Sequence, residues 1–110
     1  MIKSYTKVKV GNKMGNKLSD DSNVTFLYNA ILALEDMKEC SAFFEDLCTV
    51  PELKAMAQRI VVAKMLSEGY VYSDIVEKTG ASTATISRVN RSLNYGMDGY
   101  TVIFERLKDK

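Results

Sequence analysis

The side chains best suited to surface chemistry in this chain fall within one stretch, GASTATISRVNRSLN, residues 80–94. Ser82, Thr83, Thr85 and Ser87 carry hydroxyls that both donate and accept, and Arg88 and Arg91 carry rigid forks of N–H donors. Short hydroxylated residues at the front of a helix allow close approach to a DNA major groove. There they can reach base edges or phosphates, and Ala84 or a threonine methyl can meet a thymine methyl. Ser82 stands where an N-cap belongs, and the dipole of the helix it opens favours a nearby phosphate. Arg88 and Arg91, one turn apart, suit the phosphates that flank the groove. The expected DNA-contacting set is therefore Ser82, Thr83, Ala84, Thr85, Ser87, Arg88 and Arg91. The plainer alternative is that Ser82 and Thr83 cap a core helix while the arginines are merely solvated.

Other chemistry finds little support. With no histidine in the chain, acid–base work near neutral pH would fall on carboxylates, Lys or Tyr. There is no Gly-rich phosphate loop and no nucleophile elbow. Cys40 and Cys48 are the two cysteines, and without histidine they lack a zinc ligand set. They read as reduced thiols of a cytoplasmic protein. The expectation is a chain that is not an enzyme, with no catalytic residue, metal or cofactor.

Residues 80–94 need an elbow to present them. A helix-turn-helix sets two helices at a steep angle, and only some positions tolerate it. Gly80 supplies the residue comfortable at positive φ. Ile75 and Val76 on the first helix should meet Ile86 and Val89 on the second, with Ala81 in the elbow. Thr79 stands where an aliphatic residue is commoner. The motif spans about residues 72–93.

The remaining chain supplies the scaffold. Of its 110 residues, 46% are hydrophobic, with one Pro and six Gly, which suits one small globular domain rather than a turn-rich β fold. NVTFLYNAILALEDM reads as a helix with Ser22 or Asn23 as N-cap. Its apolar residues wrap most of its circumference, so it should be covered on more than one side, and a second copy of the chain is the natural cover. KECSAFFEDLC continues as helix. In TVPELKAMAQRIVVAKMLSEG, Thr49 and Glu52 have capping-box spacing and Pro51 falls in the first turn. Leu53, Met56, Ile60, Ala63 and Leu66 or Met65 recur at threes and fours, and Gly69 ends the helix. YGMDGYTVIFERLKDK closes the chain with Tyr100, Ile103, Phe104 and Leu107 inward. Six helices, short links and no repeat predict an all-α domain over residues 23–110. Residues 1–22 read as a flexible basic arm.

Net charge is only +1, but residues 1–23 carry five lysines against Asp20 and Asp21. Residues 24–58 carry six acids against Lys38 and Lys54, and residues 78–97 hold Lys78, Arg88 and Arg91 with no acid. A local basic patch on a nearly neutral chain fits contact with phosphates. No apolar run is long enough to span a bilayer, and the N-terminus lacks the apolar core of a secretory signal.

LCTVPELKAMAQRI and GASTATISR resemble the tryptophan repressor superfamily. The chain as a whole is similar to its YerC/YecD-like branch, through FFEDLCTVPELKAMAQRIVVAKML and TGASTATISRVNRSLNYG. The resemblance implies a six-helix subunit, an interlocked homodimer built through the N-terminal helices, and double-stranded DNA as partner. The fourth and fifth helices would be the reading head, and two-fold symmetry would place two reading helices about 34 Å apart on a palindromic operator. It also implies an effector pocket at Thr49, Arg59 and Arg88. The family's second pocket arginine is followed by glycine, whereas Arg88 is followed by Val89, whose side chain would occupy the room an indole needs. The segment between Gly69 and Gly80 is also one residue shorter than in the repressor. The expectation is a DNA-binding regulator, a repressor acting by operator occlusion, with no effector or one other than L-tryptophan. The alternative is a dimeric protein-interaction module whose helix-turn-helix is structural.

Overall fold

The structure, a computed structural model, describes residues 17–109. A 3-10 turn, Lys17–Asp20, precedes α1 (Ser22–Leu32), α2 (Met37–Leu47), α3 (Val50–Ser67), α4 (Tyr72–Thr79), α5 (Thr83–Tyr95) and α6 (Gly99–Leu107). The described residues thus form six α-helices and no strand, as the hydrophobic spacing predicts. The arm expected over residues 1–22 lies mostly outside the described residues. The described residues fall into two compact units that part between Met56 and Ala57, inside α3.

In the first unit the caps decide where helices begin. Asp21, rather than Ser22 or Asn23, caps α1: its carboxylate accepts from the Asn23 and Val24 amides at 2.9 and 3.2 Å. A carboxylate serves this end well, because the unpaired amides and the helix dipole both favour negative charge. α1 then stops at Leu32, short of the run through Met37 that the sequence offers. The cause is the next cap. Asp36 accepts from the Glu39 amide at 2.8 Å, and Glu39 accepts from the Glu35 amide at 2.9 Å, so residues 33–36 form a corner. α1 and α2 contain no buried residue. On α1, the helix expected to be apolar all round, Phe26 is 75% exposed while Val24, Leu27, Ala30 and Ile31 are half-buried; Met37, at the start of α2, is 81% exposed.

The second unit holds the core. Val62, Ala63 and Met65 of α3, Ile75 of α4, Ala81, and Ile86 and Val89 of α5 are buried together, with Leu66, Tyr72, Tyr100 and Phe104 packed against them. The Tyr100 and Phe104 rings stack at 5.9 Å, and Lys64 Nζ lies 6.0 Å above the Phe104 ring. α3 ends in a Schellman turn: Tyr70 donates to the Met65 carbonyl and Gly69, at φ 89°, donates to that of Leu66, both at 3.1 Å.

Of the inward face expected for α3, Ala63 and Met65 are buried and Leu66 packs against the core, but Ile60 is not inward and Val62, which the spacing omits, is. Val62 is fully buried, whereas Ile60 is exposed, as are Ile103 and Leu107 on α6. α3 is apolar on several sides, so a spacing of three and four fits more than one face, and sequence alone does not say which one meets α4 and α5. No helix among the described residues is long and apolar enough to cross a membrane.

Candidate nucleic-acid interface

The elbow forms where the sequence places it. Gly80 takes φ 75°, ψ 3°, and its amide donates to the Val76 carbonyl at 2.8 Å, closing α4. Ala81 tucks beneath the turn at 2% exposure, and Ile75 and Ile86 seal the contact between the helices. Val76, expected in that contact, is instead exposed at its rim. It is the larger residue where alanine is often found, and α4 accommodates it by directing it outward.

Thr79, the departure from the aliphatic pattern, builds the turn with its hydroxyl. Thr79 Oγ1 donates to the Ile75 carbonyl at 2.7 Å and accepts from the Ala81 amide at 3.1 Å. Its carbonyl accepts from Gln58 Nε2 at 3.1 Å, tying α3 to the elbow. The buried backbone of the turn is therefore satisfied by polar groups where an aliphatic side chain would offer only packing.

α5 opens on Ser82, whose Oγ accepts from the Thr85 amide and donates to Thr85 Oγ1, each at 3.1 Å. Ser82 is thus the N-cap, and Thr85, half-buried, is its partner. Thr83 is exposed on the shoulder of the helix. At about 100° per residue, Ala84, Ser87, Arg88 and Arg91 share one stripe, opposite the buried Ile86 and Val89. All four are exposed. The two ion pairs of the described residues are Lys64–Glu68 and Lys108–Glu105, so both stripe arginines are left without a carboxylate partner among those residues. Hydroxyls near the helix start and unpaired guanidinium groups one and two turns on make a surface suited to an anionic polymer.

The residues matched to an effector pocket are placed as follows. Thr49 is exposed and engaged in the expected capping box. Its amide donates to Glu52 Oε1 at 2.8 Å, and its hydroxyl accepts from the Glu52 amide at 3.2 Å. The amide bond, then the hydroxyl contact, hold the Glu52 carboxyl below the usual glutamate range. Arg59 on α3 and Arg88 on α5 are both exposed. Val89 is 2% exposed, built into the core beside Ile75 and Ile86.

The sequence reading passed over Tyr95, which is 78% exposed in the last turn of α5 on the Ala84–Arg91 stripe. Its place in that stripe follows from the same helical spacing that groups Ala84, Arg88 and Arg91. Lys78 on α4 is also exposed, near the elbow.

These features define a helical domain of the helix-turn-helix class, with its elbow buried and its second helix presented outward. The chain belongs to the Trp repressor family: the family model described as Trp repressor protein matches residues 22–108. It is 55% identical over 83 residues to YerC of Bacillus subtilis (strain 168), described as an uncharacterized protein, covering 76% of this chain and 80% of that one. Among solved structures it is similar to a TrpR-like protein from Eubacterium eligens ATCC 27750, at 60% identity and a TM-score of 0.81, covering 86% of this chain and 96% of the other. It is also similar to a proposed Trp repressor from Staphylococcus aureus, at 47% identity and a TM-score of 0.81, covering 89% and 98%.

Proposed function

We propose that this protein is a DNA-binding transcriptional regulator that grips a palindromic operator as a homodimer, with α5 of each subunit in the major groove. The observation that carries the reading is the outward stripe of α5, with hydroxyls at its start, Arg88 and Arg91 unpaired, and no acid among residues 78–97. Membership of the Trp repressor family supports a DNA-binding regulator in the broad sense. Repression by operator occlusion is the simplest outcome for a small helical domain that covers its site. The exposed Phe26, Leu32 and Met37 support the dimer, because each such side chain removed from water contributes roughly 1.5–3 kcal/mol.

L-tryptophan is not the effector in this reading. The reading rests on Val89 standing where the family's second pocket arginine is followed by glycine; its side chain is buried in the core, on the side of α5 away from the Arg88 stripe. Regulation then rests on another ligand or on protein abundance alone.

Selection of bound fragments from random and genomic duplexes at low salt tests the proposal. Enrichment of a two-fold symmetric site is the expected result. If no duplex is retained, the helix-turn-helix is structural and the protein is a dimeric interaction module. The modest net charge of +1 favours that second reading.

A further inference from the structure

We propose that Tyr95 is a phosphate-contacting residue, its hydroxyl donating to the DNA backbone at the edge of the groove that α5 enters. The inference rests on the DNA-binding reading above and extends the interface beyond Arg91.

Three observations converge on this tyrosine. Its position continues the stripe: Ala84, Arg88, Arg91 and Tyr95 follow at four, three and four residues, which keeps them on one side of a helix. Tyr95 is 78% exposed, and its hydroxyl has no hydrogen-bond partner among the described residues. Its neighbour Asn94 is already committed, with Nδ2 donating to the Asn90 carbonyl at 2.9 Å. Finally, the chain turns away at once. The Gly96 amide closes α5 on the Ser92 carbonyl at 2.9 Å, and a Cβ at Gly96 would collide with that same carbonyl. Tyr95 therefore stands at the tip of the helix.

Dimensions decide what a side chain at that tip can meet. From Ala84 to Tyr95 the helix advances roughly 16 Å at about 1.5 Å per residue, while the major groove is about 12 Å wide. A helix whose first turns lie in the groove has left it by Tyr95, and what it meets there is phosphate. The C-terminal end of a helix dipole repels anions approaching end-on. A residue there must reach sideways with a long donor, and tyrosine has that shape where serine does not. Lys78, Arg88 and Arg91, with no acid between residues 78 and 97, hold the local potential positive. A protein partner fits the site less well. Tyr95 is the one exposed large apolar side chain on α5, flanked by Arg91, Ser92 and Asn94, and a single ring among polar neighbours is no apolar docking patch.

The test compares the full-length wild type, Tyr95→Phe and Arg91→Ala by fluorescence anisotropy on selected and scrambled duplexes over a salt series, with light scattering for assembly mass. Tyr95→Phe should weaken binding by roughly tenfold on both kinds of duplex. It should leave the salt slope unchanged, because no charge is lost. Wild-type affinity in Tyr95→Phe, alongside weakened Arg91→Ala, would overturn this inference alone. So would weakening confined to the selected sequence, which would mean base reading, or a changed assembly mass, which would mean contact with a second copy. A wild type that retains no duplex overturns both this inference and the function it rests on.

Discussion

The Ala81 amide donates to the Thr79 hydroxyl across the elbow at 3.1 Å, and the same hydroxyl donates to the Ile75 carbonyl at 2.7 Å. One side chain thus ties the end of α4 to the first buried residue of the turn. Thr79→Val preserves shape and restores the aliphatic residue usual at this position, yet it should cost about 1–2 kcal/mol, because the amide of a buried alanine loses its acceptor. Urea denaturation measures this. A midpoint equal to or above that of the wild type would mean that packing, not the hydroxyl, holds the turn.

Two glycines near α5 are needed for opposite reasons. Gly80 has φ 75°, but a Cβ there would meet nothing within 4 Å, so Gly80→Ala should cost only the backbone term, about 1 kcal/mol. Gly96 has an ordinary φ of −86°, but its Cβ would collide with the Ser92 carbonyl, which cannot move without unwinding the last turn of α5. Gly96→Ala should be the more damaging change. Thermal melts of the two variants rank them, and the reverse order would sink the argument.

Glu52 gives the stability a pH dependence with a definite sign. Its carboxyl is held below the usual range by the Thr49 amide, with a further contribution from the Thr49 hydroxyl. A carboxyl depressed in the fold stabilises it above the unfolded-state pKa, and that contribution is lost as pH falls through the folded value. Stability should decline on acidification below the ordinary glutamate range, and Glu52→Gln, which keeps the capping geometry without the charge, should decline less. Melts from neutral to acid pH compare the two. The group is fully exposed, so added salt should narrow the difference. Parallel curves at low salt would show that the bond carries no linkage.

The helix-turn-helix was legible because its signals are local: a glycine for positive φ, apolar residues at fixed offsets, and a serine cap. The capping box at Thr49 and Glu52 was legible for the same reason. The inward face of α3 was legible at Ala63, Met65 and Leu66 but not at Val62, since Ile60 and Val62 are equally apolar and the spacing fits either. Asp36 was passed over although Asp36 and Glu39 also have capping spacing, because the apolar run of α1 continues past the point where that cap stops it. The outward stripe could be read from spacing, but the hydroxyl work of Thr79 required coordinates, since its two partners are backbone groups on either side of a turn.

Arg91 and Thr83 should separate affinity from specificity. Arg91 is exposed and without a carboxylate partner among the described residues, as the proposed phosphate contact requires. Arg91→Ala should weaken binding on every sequence and reduce the slope of log affinity against log salt by about one per subunit, roughly two for the dimer. Thr83 lies in the first turn of α5, the part proposed to enter the groove, so Thr83→Ala should relax preference at one base pair by ~1–3 kcal/mol with the slope unchanged. Binding isotherms on operator variants over a salt series resolve the two. Loss of base preference in Arg91→Ala, with the slope intact, would reverse the assignments.

Val89 should link the core to the tryptophan insensitivity proposed for this protein. It is 2% exposed, so Val89→Gly removes a fully buried side chain and adds a glycine inside a helix, at a combined cost of about 3 kcal/mol. That is a large share of the stability of a domain this small, so the variant should melt well below the wild type. If Val89 also blocks the space beside Arg88, Val89→Gly should gain what the wild type lacks: a melting temperature that rises with added L-tryptophan, as a ligand bound only to the folded state requires. Calorimetric titration of the wild type should show no saturable heat. Tight tryptophan binding by the wild type would mean that the valine leaves room for the ring after all, and the regulator would then answer to the same small molecule as its family namesake.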